Sequence, residues 1–149
     1  MSREVDSERA SQPLIERVDA VPLTDDPGED LVSAAVAGYR VFTLEHPDLF
    51  RIFFTASFPG VSFDSPAERA SSSALSRLVG RVERARAAGL LGDRSTPDVT
   101  LQWDALCAGM ASRELCGMLS SAEGERIWTD TLRALLAGMG TIAPHGAAS

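Results

Sequence analysis

Lysine is absent from this 149-residue chain, whose 14 basic residues are all arginine. Against 21 acidic residues they leave a formal charge of −7. Duplex nucleic acid is held largely by cations meeting phosphates, so the overall charge speaks against that partner. Arg77, Arg81, Arg84 and Arg86 form the one dense basic cluster. With Glu83 among them, it reads as a solvated helix face. Cysteine is scarce: Cys107 and Cys116 lie nine residues apart on one expected helix. They therefore point to opposite faces, which excludes a bond between them. There is no CxxC, and His46 and His145 are far apart, so no zinc set is present. Both thiols read as small apolar groups packed inside. Long apolar runs are missing too, since none approaches the ~20 residues that span a bilayer. No apolar stretch follows Arg3, Glu4 and Asp6, as a signal peptide would require. A soluble, cytoplasmic protein is the default expectation. An all-arginine basic set with abundant Ala and Gly is the composition of a GC-rich bacterial genome.

Strand-type alternation and internal repeats are also absent, which leaves helices. Apolar residues make up 44% of the chain, a normal share for one domain with one core. Residues 1–27 are polar and mixed in charge. Within them Gln12 to Val21 can form a short helix, with Leu14, Ile15, Val18 and Val21 on one side and Pro13 in its first turn. Disorder is expected before it. Asp26-Pro27-Gly28-Glu29 reads as N-cap, first-turn proline and capping-box glutamate. It opens a helix to about Glu45, with Leu31, Ala35, Tyr39 and Phe42 along one stripe. His46-Pro47-Asp48 restarts the chain in a short helix to about Ala56. Ser65-Pro66-Ala67-Glu68 is a second capping box. The long helix after it sets Leu75, Leu78, Val79, Val82 and Ala85 opposite Arg77, Arg81 and Arg84. Gly89 terminates it. Thr96-Pro97-Asp98 opens a helix to about Leu119. Ser120 with Glu123 caps the last one, which aligns Trp128, Leu132, Leu135, Leu136 and Met139. Residues 141–149 read as a flexible tail.

The helix from Pro97 to Leu119 carries the most information. From Ala105 to Ala111 it has no charged residue, the mark of a helix covered on several sides. One face holds Trp103, Cys107, Met110, Glu114 and Met118, bulky and soft enough to line an irregular cavity. The opposite face holds Ala105, Ala108, Gly109, Ser112, Cys116 and Leu119, small enough for another helix to approach closely. A second copy of the chain could supply that helix. The last two helices form a hairpin, and such hairpins pair into four-helix bundles across a twofold axis.

Tyr39-Arg40-Val41-Phe42-Thr43-Leu44-Glu45-His46-Pro47-Asp48-Leu49-Phe50-Arg51-Ile52-Phe53-Phe54 resembles the "aYrafAlehPdLyrlmF" segment of TetR-type transcriptional regulators. Trp103 through Gly117 resembles the later segment of the same effector-binding domain. Here Ala108-Gly109 stands in place of the family's His-Gly pair. The likeness covers roughly residues 28–140 and implies an all-α, WHG-type C-terminal domain. It further implies a homodimer through the last two long helices and an effector pocket among the central ones. Ala105, Ala108, Gly109, Ser112, Trp128, Leu132, Leu135 and Leu136 are accordingly expected at the dimer interface.

Such regulators also carry an N-terminal helix-turn-helix unit of roughly 50 residues. The 27 residues before the likeness hold no such pattern, so DNA contact is expected only through a unit supplied from outside this chain. Five of the six Phe residues lie between Phe50 and Phe63, as a local mini-core or a pocket lid. Ligand pockets are mostly apolar and aromatic with few polar groups. The expected lining is Phe54, Phe58, Leu78, Val82, Trp103, Cys107 and Met110, with Tyr39 and Glu114 as polar handles. An inward Glu114 needs a partner or a raised pKa, and Arg113 points ~100° away from it on the helix. An exposed Glu114 is the alternative. No cofactor is expected. No phosphate loop, facing carboxylate pair or Ser-His-Asp spacing is evident, so no enzyme is expected either. The leading function is therefore a dimerising sensor of an apolar small molecule. The alternatives are a module that heterodimerises with a full-length regulator and, further off, a helical carrier or enzyme.

Overall fold

The computed structural model describes residues 12–56 and 66–146, and among them every regular element is helical. Helix α1 covers residues 12–19. Helix α2, Pro27–Ser33, runs into a π-helical segment, Ala34–Arg40, and on into α3, Val41–Glu45. Then follow α4 (Pro47–Ala56), α5 (Pro66–Ala87), α6 (Thr96–Leu115) and α7 (Ser121–Thr141). No helix of the described residues is long and apolar enough to cross a membrane.

The local signals explain most boundaries. Asp26 accepts a hydrogen bond from Glu29 N as N-cap of α2, and Pro27 occupies the first turn. The Glu29 side chain leaves the capping box and forks onto Arg133 of α7 instead. Helix α6 is capped one residue early, by the Ser95 hydroxyl on Asp98 N. It also ends at Leu115 rather than Leu119. Gly117 takes a φ of 81°, and Met118 N turns back to Arg113 O, which closes the helix. Ser120 caps α7 through Ala122 N, while Glu123 meets Arg126. The Ser65 capping box lies outside the described residues.

One layer, α2 through α3, packs against α5 and α6, and α7 closes the other side. Leu31, Val82, Leu91, Val99, Ala111, Trp128 and Leu132 have no exposed surface, and Trp103 and Phe42 almost none. Gly38 lies in the π segment where α1 crosses it. A β-carbon there would stand 3.2 Å from Val18 Cα, so the small residue sets how closely the two helices approach.

The basic cluster on α5 departs from expectation. Only Arg77 and Arg86 are exposed, and Arg81 is buried. Arg81 donates to Asp30 O at 3.1 Å, Val18 O at 3.0 Å and Val21 O at 2.6 Å. These carbonyls include the open C-terminal end of α1, where a guanidinium meets both the orphan acceptors and the negative pole of the helix. Arg84 bonds Asp30 Oδ2 at 2.8 Å and Thr24 O at 3.0 Å. A periodicity argument gave these arginines to solvent because it counts charge, not the carbonyls left by a connecting segment.

Asp30 itself is buried. Burial pushes its carboxyl pKa up, but bonds from the Thr24 hydroxyl, Arg84 and Thr24 N together outweigh it and bring it to about 2. An unfolded Asp titrates near 3.8. The folded form therefore holds the ionised carboxylate more strongly, and that stabilisation is present above about pH 4. It is lost as pH falls toward 2. Urea midpoints across this range should fall for the wild-type chain and fall less for Asp30→Asn, which has no such group to protonate. Equal slopes for the two would contradict the assignment.

Candidate functional site

The π segment places two side chains where a continuous α-helix would not. Wide, π-type turns are uncommon and recur at functional positions. Tyr39 is half-buried, its ring edge-on to Phe50 at 6.5 Å and tilted against Trp128 at 6.2 Å. Such contacts hold an aromatic ring in one orientation. Arg40, the next residue, is buried and reaches α6. Its Nε and Nη2 donate to Glu114 Oε2 and Oε1 at 3.1 and 2.7 Å. Nη2 also donates to Ser121 O, and Trp128 Nε1 donates to Glu114 Oε2 at 3.1 Å. Glu114 thus faces inward with both oxygens occupied. It is a structural tie between three elements, and no longer a free handle for a guest.

The other expected lining residues fall into two groups. Val82, Trp103 and Cys107 sit in the buried core, with Leu78 and Met110 half-buried against it. Burial raises the Cys107 thiol well above its ordinary range, and the nearby Asp104 charge adds to this, so the thiol stays protonated. Phe58 lies outside the described residues, as does the side chain of Phe54. Cys116, expected inside, is exposed at the C-cap of α6.

Two features went unread in the sequence. Asp104 is half-buried on α6, and burial raises its carboxyl pKa. Its charge acts on Tyr39, whose hydroxyl is pushed up by burial first and by Asp104 second. Trp103 Nε1 is the one buried side-chain polar atom among the described residues that lacks a hydrogen-bond partner. Buried indole N–H groups normally find an acceptor. Asp104 was legible as a charge next to the apolar stripe of α6. Its neighbours were not, because Tyr39 arrives from 65 positions away in sequence.

The expected dimer residues also divide. On α6, Ala105 and Gly109 are exposed and Ala108 and Ser112 half-exposed. A β-carbon on Gly109 would meet nothing within 4 Å. On α7, Leu135 and Leu136 are half-buried. Trp128 and Leu132, however, are wholly enclosed by their own chain and have no surface to give a partner. Their stripe faces the core because α7 has to close the side of the bundle on which Tyr39 and Glu114 lie.

An open groove of about 530 Å³ lies elsewhere, lined by Glu83, Arg86, Ala87, Gly92 and Thr96. It includes none of the expected ligand residues. No group of three or more His, Cys, Asp or Glu placed to hold a metal occurs among the described residues.

The sequence model of the family described as tetracyclin repressor-like, C-terminal domain, matches residues 32–136. The chain belongs to this family. The matched span begins in α2 and ends in α7, so it contains the π segment, Glu114 and the open face of α6. No curated protein matches the chain. A solved structure of a protein with unknown function from Rhodococcus sp. RHA1 is similar at a TM-score of 0.73 with 23% identity. The likeness covers 93% of this chain and 69% of that one. It shows a shared fold. In this tetracyclin repressor-like domain Ala108 lies half-exposed on α6, where its methyl side chain offers no polar contact.

Proposed function

We propose that this domain is the sensing and pairing half of a transcriptional regulator. It takes an apolar small molecule between the π segment and α6 and pairs with a second copy through α6 and α7. On this reading, operator contact belongs to a helix-turn-helix unit supplied outside the matched residues. One observation carries the reading: α6 is buried along Trp103, Cys107 and Ala111 while its other face, Ala105 to Ser112, stands open and nearly uncharged. Leu101, 68% exposed, extends that face by one turn. An apolar helix face without cover is what a partner helix buries, and small residues let two helices approach to close range.

Gly109 supplies the test. Gly109 is exposed, and a β-carbon there meets nothing within 4 Å of the single chain, so Gly109→Arg should leave the helical content and unfolding midpoint of the monomer intact. In sedimentation equilibrium the wild-type chain should be a dimer, and the variant should dissociate at least about tenfold more readily, since a buried unpaired charge costs several kcal/mol. A wild-type monomer, or a dimer indifferent to the substitution, would overturn the pairing through α6. Sensing is read separately. A compound that binds only the folded chain stabilises it by mass action, by about 2.7 kcal/mol at a hundred times Kd, and so raises its unfolding midpoint. A panel of apolar aromatic and aliphatic compounds without effect would overturn that half.

A further inference from the structure

The open groove of about 530 Å³ takes no part in the sensing or pairing argued above. Helix α5 contributes Glu83, Arg86 and Ala87 to it, the turn after α5 contributes Gly92, and the first turn of α6 contributes Thr96. That turn is held in place. Leu91, next to Gly92, has no exposed surface. Arg94 ties the turn to the C-terminal end of α7 by donating to Met139 O and to Ile142 O, the latter at 2.7 Å. A β-carbon on Gly140 would stand 2.8 Å from Leu90 O, so the turn and α7 are in close contact. The concavity is preformed, and a guest does not have to order it.

The lining is polar and carries both signs of charge. Glu83 and Arg86 are exposed and stand three positions apart, on one side of α5. The same spacing, acid first, closes into an ion pair at 3.0 Å in Asp48 with Arg51 and at 3.5 Å in Glu123 with Arg126. The side chains of Glu83 and Arg86 pair neither with each other nor with any other described residue, and they line the groove instead. A guest of one sign meets attraction from one of them and repulsion from the other. A guest with both signs, set roughly 5–6 Å apart like neighbouring positions on a helix face, is attracted by both.

We propose that this groove is a second ligand site, for a small zwitterion whose ammonium meets Glu83 and whose carboxylate meets Arg86. The site stands apart from the apolar sensing proposed above, because the groove includes none of the residues on which that reading depends.

Three probes of one chain length separate the charge classes: 4-aminobutyrate, butyrate and butylamine. Each is titrated into the full isotope-labelled chain at neutral pH and low salt, and the amide resonances of Ala87, Gly92 and Thr96 report occupancy of the groove. The zwitterion should bind at least about threefold more tightly than either singly charged probe, the gain of one exposed ion pair. Arg86→Gln should erase its advantage over butylamine, and Glu83→Gln its advantage over butyrate. Exchange of the two charges, Glu83→Arg together with Arg86→Glu, should keep the preference, with the guest reversed. Butyrate or butylamine bound as tightly as the zwitterion would overturn the ligand class. A preference that outlasts both single substitutions would overturn the roles of Glu83 and Arg86. No shift localised to the groove, up to the solubility of the probes, would overturn the site itself. Each of these failures would leave the apolar sensing function standing.

Discussion

Glu114→Ala should destabilise the fold by about 3–5 kcal/mol, read as a fall in the urea midpoint with little change in slope. The reason is what the substitution leaves behind. Arg40 keeps a charge in a side chain only 9% exposed, with one carbonyl, Ser121 O, as its remaining partner. Trp128 keeps a buried indole N–H whose acceptor has gone. A buried ion pair adds little over an apolar pair of the same shape, but removing one partner exposes the full desolvation cost of the other. Glu114→Gln retains an acceptor for Trp128 and should lose distinctly less. The exposed pair between Arg17 and Glu45 is the control. Its side chains are 45% and 43% exposed, and Arg17→Ala should cost under about 1 kcal/mol. Equal losses for Glu114→Ala and Arg17→Ala would mean that Arg40 finds water once Glu114 is gone.

Gly124→Ala should cost about 2–3 kcal/mol, although alanine is the better helix former by about 1 kcal/mol. Gly124 lies in the first turn of α7, directly beneath the same pair. A β-carbon there would stand 2.7 Å from Arg40 Nη2 and 2.8 Å from Glu114 Cδ, and it would overlap Glu114 Oε1. Those atoms end long side chains, which ordinarily swing aside. Here both are held by hydrogen bonds and enclosed, so movement means breaking the pair or lifting α7 from α6. Gly109→Ala is the matched comparison on an open helix face and should be neutral or stabilising to the single chain. A Gly124→Ala variant as stable as wild type would show that α7 can shift without loss. The tie among Arg40, Glu114 and Trp128 would then be looser than its geometry indicates.

Much of this architecture was legible before any coordinates. Prolines 27, 47 and 97, each in a first helical turn, and glycine 89, just past a last one, punctuate the helices where they occur. Apolar periodicity identified Leu31, Val82 and Trp103 as inward-facing. The functional region was legible only in part. Trp103, Cys107 and Glu114 were rightly placed on one face of α6. Their partners were not, because Arg40 is 74 positions from Glu114 and no local pattern links them. The π segment left no signal either. Its residues, Ala34 to Arg40, are compatible with an α-helix, and no local pattern marks the wider winding. Periodicity likewise sorted α7 into an apolar stripe without saying whether core or partner would cover it. For Trp128 and Leu132 the core does.

The order of residues alone determined the helical class and which face of each long helix is apolar. These depend on caps, backbone preferences and a 3.6-residue period, all of them local. Which charges are neutralised and which are left open was decided only in three dimensions. Arg81 turns inward to loose carbonyls, and Arg40 finds Glu114. Charge pairing depends on distance through space, and in a bundle that distance is fixed by how the helices cross.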